Sequence, residues 1–158
     1  MPSAEPGSST LKRRLTPPFY SGFITPAGEK FTAEKTLRDS NLGEDDSIEL
    51  HFIPGKSAKD KYQFIFNAKG AFYDAKNGQP AWNADGVKTV SKLVGKDWIF
   101  ETSIPWAALG LKTAPSDMKF NLCRSFKEAA SNTSVSPCMR AYMDPPNLAT
   151  LLFSPDAP

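Results

Sequence analysis

Glu44-Asp45-Asp46-Ser47-Ile48-Glu49-Leu50-His51-Phe52-Ile53-Pro54-Gly55 joins four carboxylates to an alternating run. Ile48, Leu50 and Phe52 fall on one side, Glu49 and His51 on the other, and Pro54-Gly55 ends the pattern. A period of two with one apolar side is the signature of a strand laid against a core, its polar side facing solvent. On this reading the stretch is a loop running into a strand, and His51 is a solvent-facing strand histidine.

The same alternation recurs outward from this strand. Tyr62-Gln63-Phe64-Ile65-Phe66-Asn67 is followed by Ala68-Lys69-Gly70 and Phe72-Tyr73, which predicts a hairpin with a glycine-containing loop. Residues 87–94 and 98–104 flank Gly95-Lys96-Asp97 as a second hairpin. Strands are also expected over 19–24, 118–125 and 148–153. Pro105-Trp106-Ala107-Ala108-Leu109-Gly110, with Pro at the first turn and Gly as the stop, is the one helical signal. Short strands separated by turns predict an all-β antiparallel sandwich over residues 19–158. Residues 1–18, rich in Pro, Ser and Gly, read as a poorly ordered leader. Residues 126–147 read as a long irregular loop, and loops of that length commonly carry function.

Composition narrows the function. Among 158 residues, 19 Lys and Arg are scattered against 17 acids. Nucleic acid, which requires clustered cations, is not the expected partner. No stretch reaches the roughly 20 apolar residues of a membrane span. The basic residues near the N-terminus have no apolar core beside them, so no signal peptide is read there. Nucleophilic catalysis lacks a clear base other than His51, the single histidine. Carboxylate pairs for glycoside hydrolysis are too easily found to be informative. Cys123 and Cys138 are equally compatible with a bridge and with two separate thiols.

Aromatic residues are more telling. Three Trp, four Tyr and eleven Phe are many for a small sandwich. Sugar rings present C–H faces that stack on aromatic surfaces, with hydroxyls at their rims for polar side chains. Trp98 and Trp106 belong to predicted elements and read as core. Trp82, in a Gly/Pro/Asn loop, and Tyr142, in the long loop, are the candidate sugar platforms.

In order, "EDDSIELHFIPG", "YQFIFNAKGAFYDA", "WNADG", "WIFETSIPWAALGL", "FNLCRS" and "MDPPNLATLLF" resemble a family 9 carbohydrate-binding module, which is similar to the wider DOMON-like sandwiches. The resemblance spans roughly residues 38–153. It implies a non-catalytic module binding poly- or oligosaccharide, attached to an extracellular or periplasmic xylanase-type protein, with calcium supporting its loops. Carried over residue by residue, it implies Glu49 and Asn67 as hydroxyl-bonding groups and Tyr142 as one half of an aromatic clamp, while Arg124, next to the position of an expected glutamine, is a further candidate for bonding hydroxyls. Asp45 and Asp46 are expected to fix the loop before the strand, through backbone groups or as calcium ligands. The chain departs from the pattern at Gly43, Ile65 and Cys123, where a tryptophan, an arginine and a glutamine are expected, and its first Trp-bearing strand has no counterpart. The wider resemblance also raises a haem-binding alternative with His51 and Met139 or Met143 as axial ligands. A structural domain with a degenerate sugar site is a third expectation.

Overall fold

The computed structural model describes residues 17–28, 30–55, 59–137, 142–143 and 145–153. Cys138 and Met139 lie outside them, as do residues 1–16 of the expected leader, so neither the bridge nor that segment is described. The strands are β1 (Phe19–Pro26), β2 (Ser47–Pro54), β3 (Tyr62–Asn67), β4 (Phe72–Lys76), β5 (Lys88–Val94), β6 (Asp97–Ile104), β7 (Asp117–Phe126), β8 (Ser131–Ser134) and β9 (Ala149–Leu152). They form two antiparallel sheets. The smaller runs β1-β6-β5; the larger runs β4-β3-β2-β7, with β8 and β9 each pairing with β7. This is the expected all-β sandwich.

Aromatic side chains hold the sheets together. Phe19, Trp98, Phe100 and Ile104 of the small sheet meet Leu50, Phe52, Phe64, Phe66 and Phe120 of the large one in a single buried cluster. Ring centroids lie 4.9 Å apart for Phe66 and Phe100 and 5.0 Å apart for Phe19 and Phe52. Each such ring removes a large apolar area from water and adds a geometric preference of about 0.5–1.5 kcal/mol per pair. Trp98 and Trp106 are both core residues, and the Trp106 Nε1–H donates to the Pro17 carbonyl at 2.6 Å.

The helical signal at 105–110 is a 3-10 turn over Trp106–Leu109. Gly110 closes it at φ 71°, and a Cβ there would come within 2.9 Å of the Tyr62 hydroxyl. Both the left-handed backbone and the close approach require glycine.

Two expectations are corrected. The irregular loop predicted over 126–147 contains β8, whose sequence Ser131-Asn132-Thr133-Ser134 has no apolar member; backbone pairing with β7 carries it, not burial. The central strand β2 is also not half-exposed. All residues from Ser47 to Ile53 are buried, so Glu49 and His51 are covered although they point away from the core.

Candidate functional site

The parity of β2 defines the site. Ile48, Leu50 and Phe52 face the core, so Ser47, Glu49 and His51 project from the outer face of the large sheet. In register beside them stand Gln63 and Ile65 of β3, and Asn121 and Cys123 of β7. Gln63, His51 and Asn121 form one cross-strand row; Ile65, Glu49 and Cys123 form the next.

These polar groups are joined. Glu49 Oε2 lies 3.2 Å from His51 Nε2 and accepts from Gln63 Nε2 at the same distance. A carboxylate only accepts, so Nε2 of His51 carries the proton, and in the neutral ring Nδ1 is left as an acceptor. That Nδ1 is buried and has no hydrogen-bond partner. An unpartnered buried polar atom costs on the order of 1–3 kcal/mol, and such atoms are rare enough to need a reason. The Tyr142 ring lies over the imidazole, with centroids 6.1 Å apart. Asn121 places it there: its Nδ2 donates to the Tyr142 carbonyl at 2.9 Å, while its Oδ1 accepts from the Ser136 N–H at 3.0 Å. One buried side chain thus bonds both Ser136 and Tyr142.

The residues expected at the site divide. Glu49 and Tyr142 come together, bridged by His51. Asn67 lies on the same face at the strand end, but its side chain is spent: Nδ2 donates to Asp45 and the Lys35 carbonyl, and Oδ1 accepts from the N–H groups of Lys69 and Ala71. Arg124 opposes Ile48 and therefore projects from the core side. There it pairs with Asp46 at 3.1 Å, donates to the Ser125 carbonyl and packs against Trp98, Phe126 and Phe31. Burial lowers its pKa, an effect opposed by the charge and hydrogen bond of Asp46. Trp82 is half-buried and meets Tyr62 and Phe64 edge-on at 5.3 and 6.2 Å. Those two side chains face the core, which sets Trp82 apart from Glu49 across the sheet.

Asp45 and Asp46 do not fit a calcium cage. Asp45 accepts from the N–H groups of Glu34 and Lys35 and from Asn67; Asp46 accepts from the N–H groups of Thr32 and Lys127 and from Arg124. Donors that surround a carboxylate in this way compete with a cation, and a guanidinium beside Asp46 repels one. Their evident role is to tether the chain around Thr32–Lys35 to the start of β2. Among the described residues no group of three or more His, Cys, Asp or Glu is placed to hold a metal. Haem fits poorly as well: His51 is 3% exposed and its Nε2 is committed to Glu49. Met143 is half-buried, and Met139 lies outside the described residues.

Sequence reading missed Gln63 and Asn121. Both are ordinary amides in alternating strands, and only the inter-strand register shows that they flank His51.

No protein-family profile matches the chain, and no curated protein matches it. Among solved structures, the chain is similar to the crystal structure of a protein from Bacteroides uniformis ATCC 8492 provisionally described as carbohydrate-binding. The two share 19% identity with a TM-score of 0.67, over 85% of this chain and 72% of the other, a likeness of fold.

Proposed function

We propose that the protein binds carbohydrate without acting on it chemically, through the outer face of its large sheet. The observation that carries this reading is the joined Glu49–His51–Gln63 group beside Tyr142, its Glu49 and His51 buried, with His51 Nδ1 unpartnered. Saccharide hydroxyls both donate and accept, so one can meet a carboxylate, an amide and an imidazole lone pair together, while an aromatic ring takes the C–H face. The likeness of fold to a protein provisionally described as carbohydrate-binding supports the same reading.

The finer reading follows from the sequence resemblance. The chain acts as a family 9-type accessory module of an extracellular or periplasmic xylanase-type protein, delivering a neighbouring catalytic domain to poly- or oligosaccharide. Glu49 and Tyr142 remain its proposed contacts, joined by His51 and Gln63. Asn67, Arg124, Asp45 and Asp46 hold the frame around them, and Trp82 packs the edge of the core.

Calorimetric titration with xylan, cello-oligosaccharides and monosaccharides tests this. Saturable heat is expected, weakened about tenfold in Tyr142→Ala, the size of one lost aromatic contact. No heat with any saccharide would leave a structural domain whose sugar site is degenerate.

A further inference from the structure

The outer face of the small sheet carries a pocket of about 180 Å³ that lies on the opposite side of the sandwich from Glu49. Two cross-strand rows build it: Tyr20, Ser103 and Lys88 in one, Gly22, Glu101 and Val90 in the next. Phe23 and Phe100 face inward between the sheets, so parity sends Tyr20, Val90 and Glu101 outward.

The pocket has three properties of a ligand site. First, Tyr20 is 63% exposed, yet its hydroxyl donates to Glu101 Oε2 at 2.6 Å. An exposed ring ordinarily samples several rotamers; a bond at its tip favours one of them and lowers the ordering cost of binding against it. The bond also raises the Tyr20 pKa, helped by slight desolvation and the Glu101 charge. Second, Val90 stands 62% exposed beside it, supplying carbon surface in a mainly apolar lining that also includes the Glu101 and Lys88 side chains. Third, the volume falls below the roughly 300–1,000 Å³ of drug-sized sites, which suits one ring and not a chain. A six-membered sugar ring, carbon on its faces and hydroxyl at its edge, matches that combination.

We propose that this pocket is a second saccharide site, taking one pyranose residue against the Tyr20 ring with Glu101 and Lys88 bonding its hydroxyls. The site shares no residue with the Glu49 face, and it stands or falls independently of it. Occupied together, the two faces would let one molecule engage two chains of a polymer, or two points of one chain, with a gain in avidity and no new contact.

Amide chemical-shift mapping of the protein with xylohexaose and with cellohexaose tests this, in the wild type, Tyr20→Ala, Tyr20→Phe and Tyr142→Ala. Shifts are expected around residues 88–90 and 101–103 as well as around Glu49. Tyr20→Ala should weaken the first set about tenfold and leave the second unchanged. Tyr20→Phe keeps the ring but loses the Glu101 bond that positions it, and should weaken the shifts at 88–90 by less than Tyr20→Ala does. Tyr142→Ala should do the reverse of Tyr20→Ala. If neither hexasaccharide shifts residues 88–90 and 101–103, or if Tyr20→Ala leaves those shifts intact, the proposal is wrong. It is equally overturned if those residues respond to protein concentration and not to sugar, because a second copy of the chain then occupies the face. A silent Glu49 face with a responsive Tyr20 face would overturn the function proposed for Glu49 and leave this site standing.

Discussion

The outer faces of the two sheets invert the usual distribution of side chains. On the large sheet, Glu49, His51 and Asn121 are polar and buried; on the small sheet, Tyr20, Ile24, Val90 and Val94 are apolar or aromatic and exposed. A buried polar group and an exposed apolar patch are the two departures that carry information about function, since scattered exposed apolar residues are normal. The difference lies in what covers each sheet. Asn121 holds Tyr142 against His51 of β2, whereas no described residue covers the outer side of β1 and β5. The polar face has cover without full internal satisfaction, and the apolar face has no cover among the described residues.

The comparison breaks most readily at Asp46, whose carboxylate supports the covered side from within. Asp46→Ala leaves the buried Arg124 guanidinium without its counter-charge and frees the Thr32 and Lys127 N–H groups. The expected loss is roughly 3–5 kcal/mol, read as a lower urea midpoint. A loss below about 1 kcal/mol would mean that Arg124 reaches solvent.

His51→Leu separates stability from binding. If Nδ1 awaits a ligand, leucine removes an unsatisfied polar atom but also the Nε2–H donor to the buried Glu49, so the two effects should offset and stability should change by less than about 1 kcal/mol. Saccharide binding at Glu49 should fall at the same time. Thermal melts and titrations on one preparation check both outcomes, and a sharp loss of stability would make the imidazole part of the frame.

On the small sheet, Ile24→Thr and Val90→Thr should change stability by no more than about 0.5 kcal/mol, because both side chains already stand in water. A larger loss by chemical denaturation would reveal burial of that face in solution.

The smallest effect concerns Tyr20. Its pKa is raised in the fold, chiefly by the Glu101 hydrogen bond. The linked stabilisation is therefore complete below the unfolded tyrosine pKa of about 10 and is lost as pH rises through the higher folded value. Tyrosinate absorbance of the wild type minus that of Tyr20→Phe should show one phenol titrating late. A phenol titrating at the ordinary value would show that the ring is not held.

Much of the fold was legible in alternation and turn residues, because both arise from local chemistry. β2, β3, β6 and β7 each carry an apolar side with a period of two, and the Gly70 and Gly95 turns join true hairpins. β8 was not legible, since four small polar residues have no pattern to read and form a strand only because β7 offers a ladder. The site was legible in part. Glu49 and Tyr142 share a face, but Arg124 and Trp82 do not join them. Whether Arg124 sits beside Glu49 or behind it depends on a register in which it opposes Ile48, and a shift of one residue would exchange the two outcomes. The burial of His51 was hidden for a related reason. Periodicity tells which way a side chain points, and the ring against His51 comes from Tyr142, far along the chain.

β2 is shielded on both faces and bonded on both edges, by β3 and β7. Its amide protons have no local route to solvent, so their replacement by deuterium waits on opening of the whole sandwich. The slowest-exchanging amides should therefore be those of Ile48–Phe52, which include the residues proposed to meet a ligand. A sugar bound there would lengthen the exchange lifetimes of the entire core, while one bound at Tyr20 would also act on amides near an open sheet edge.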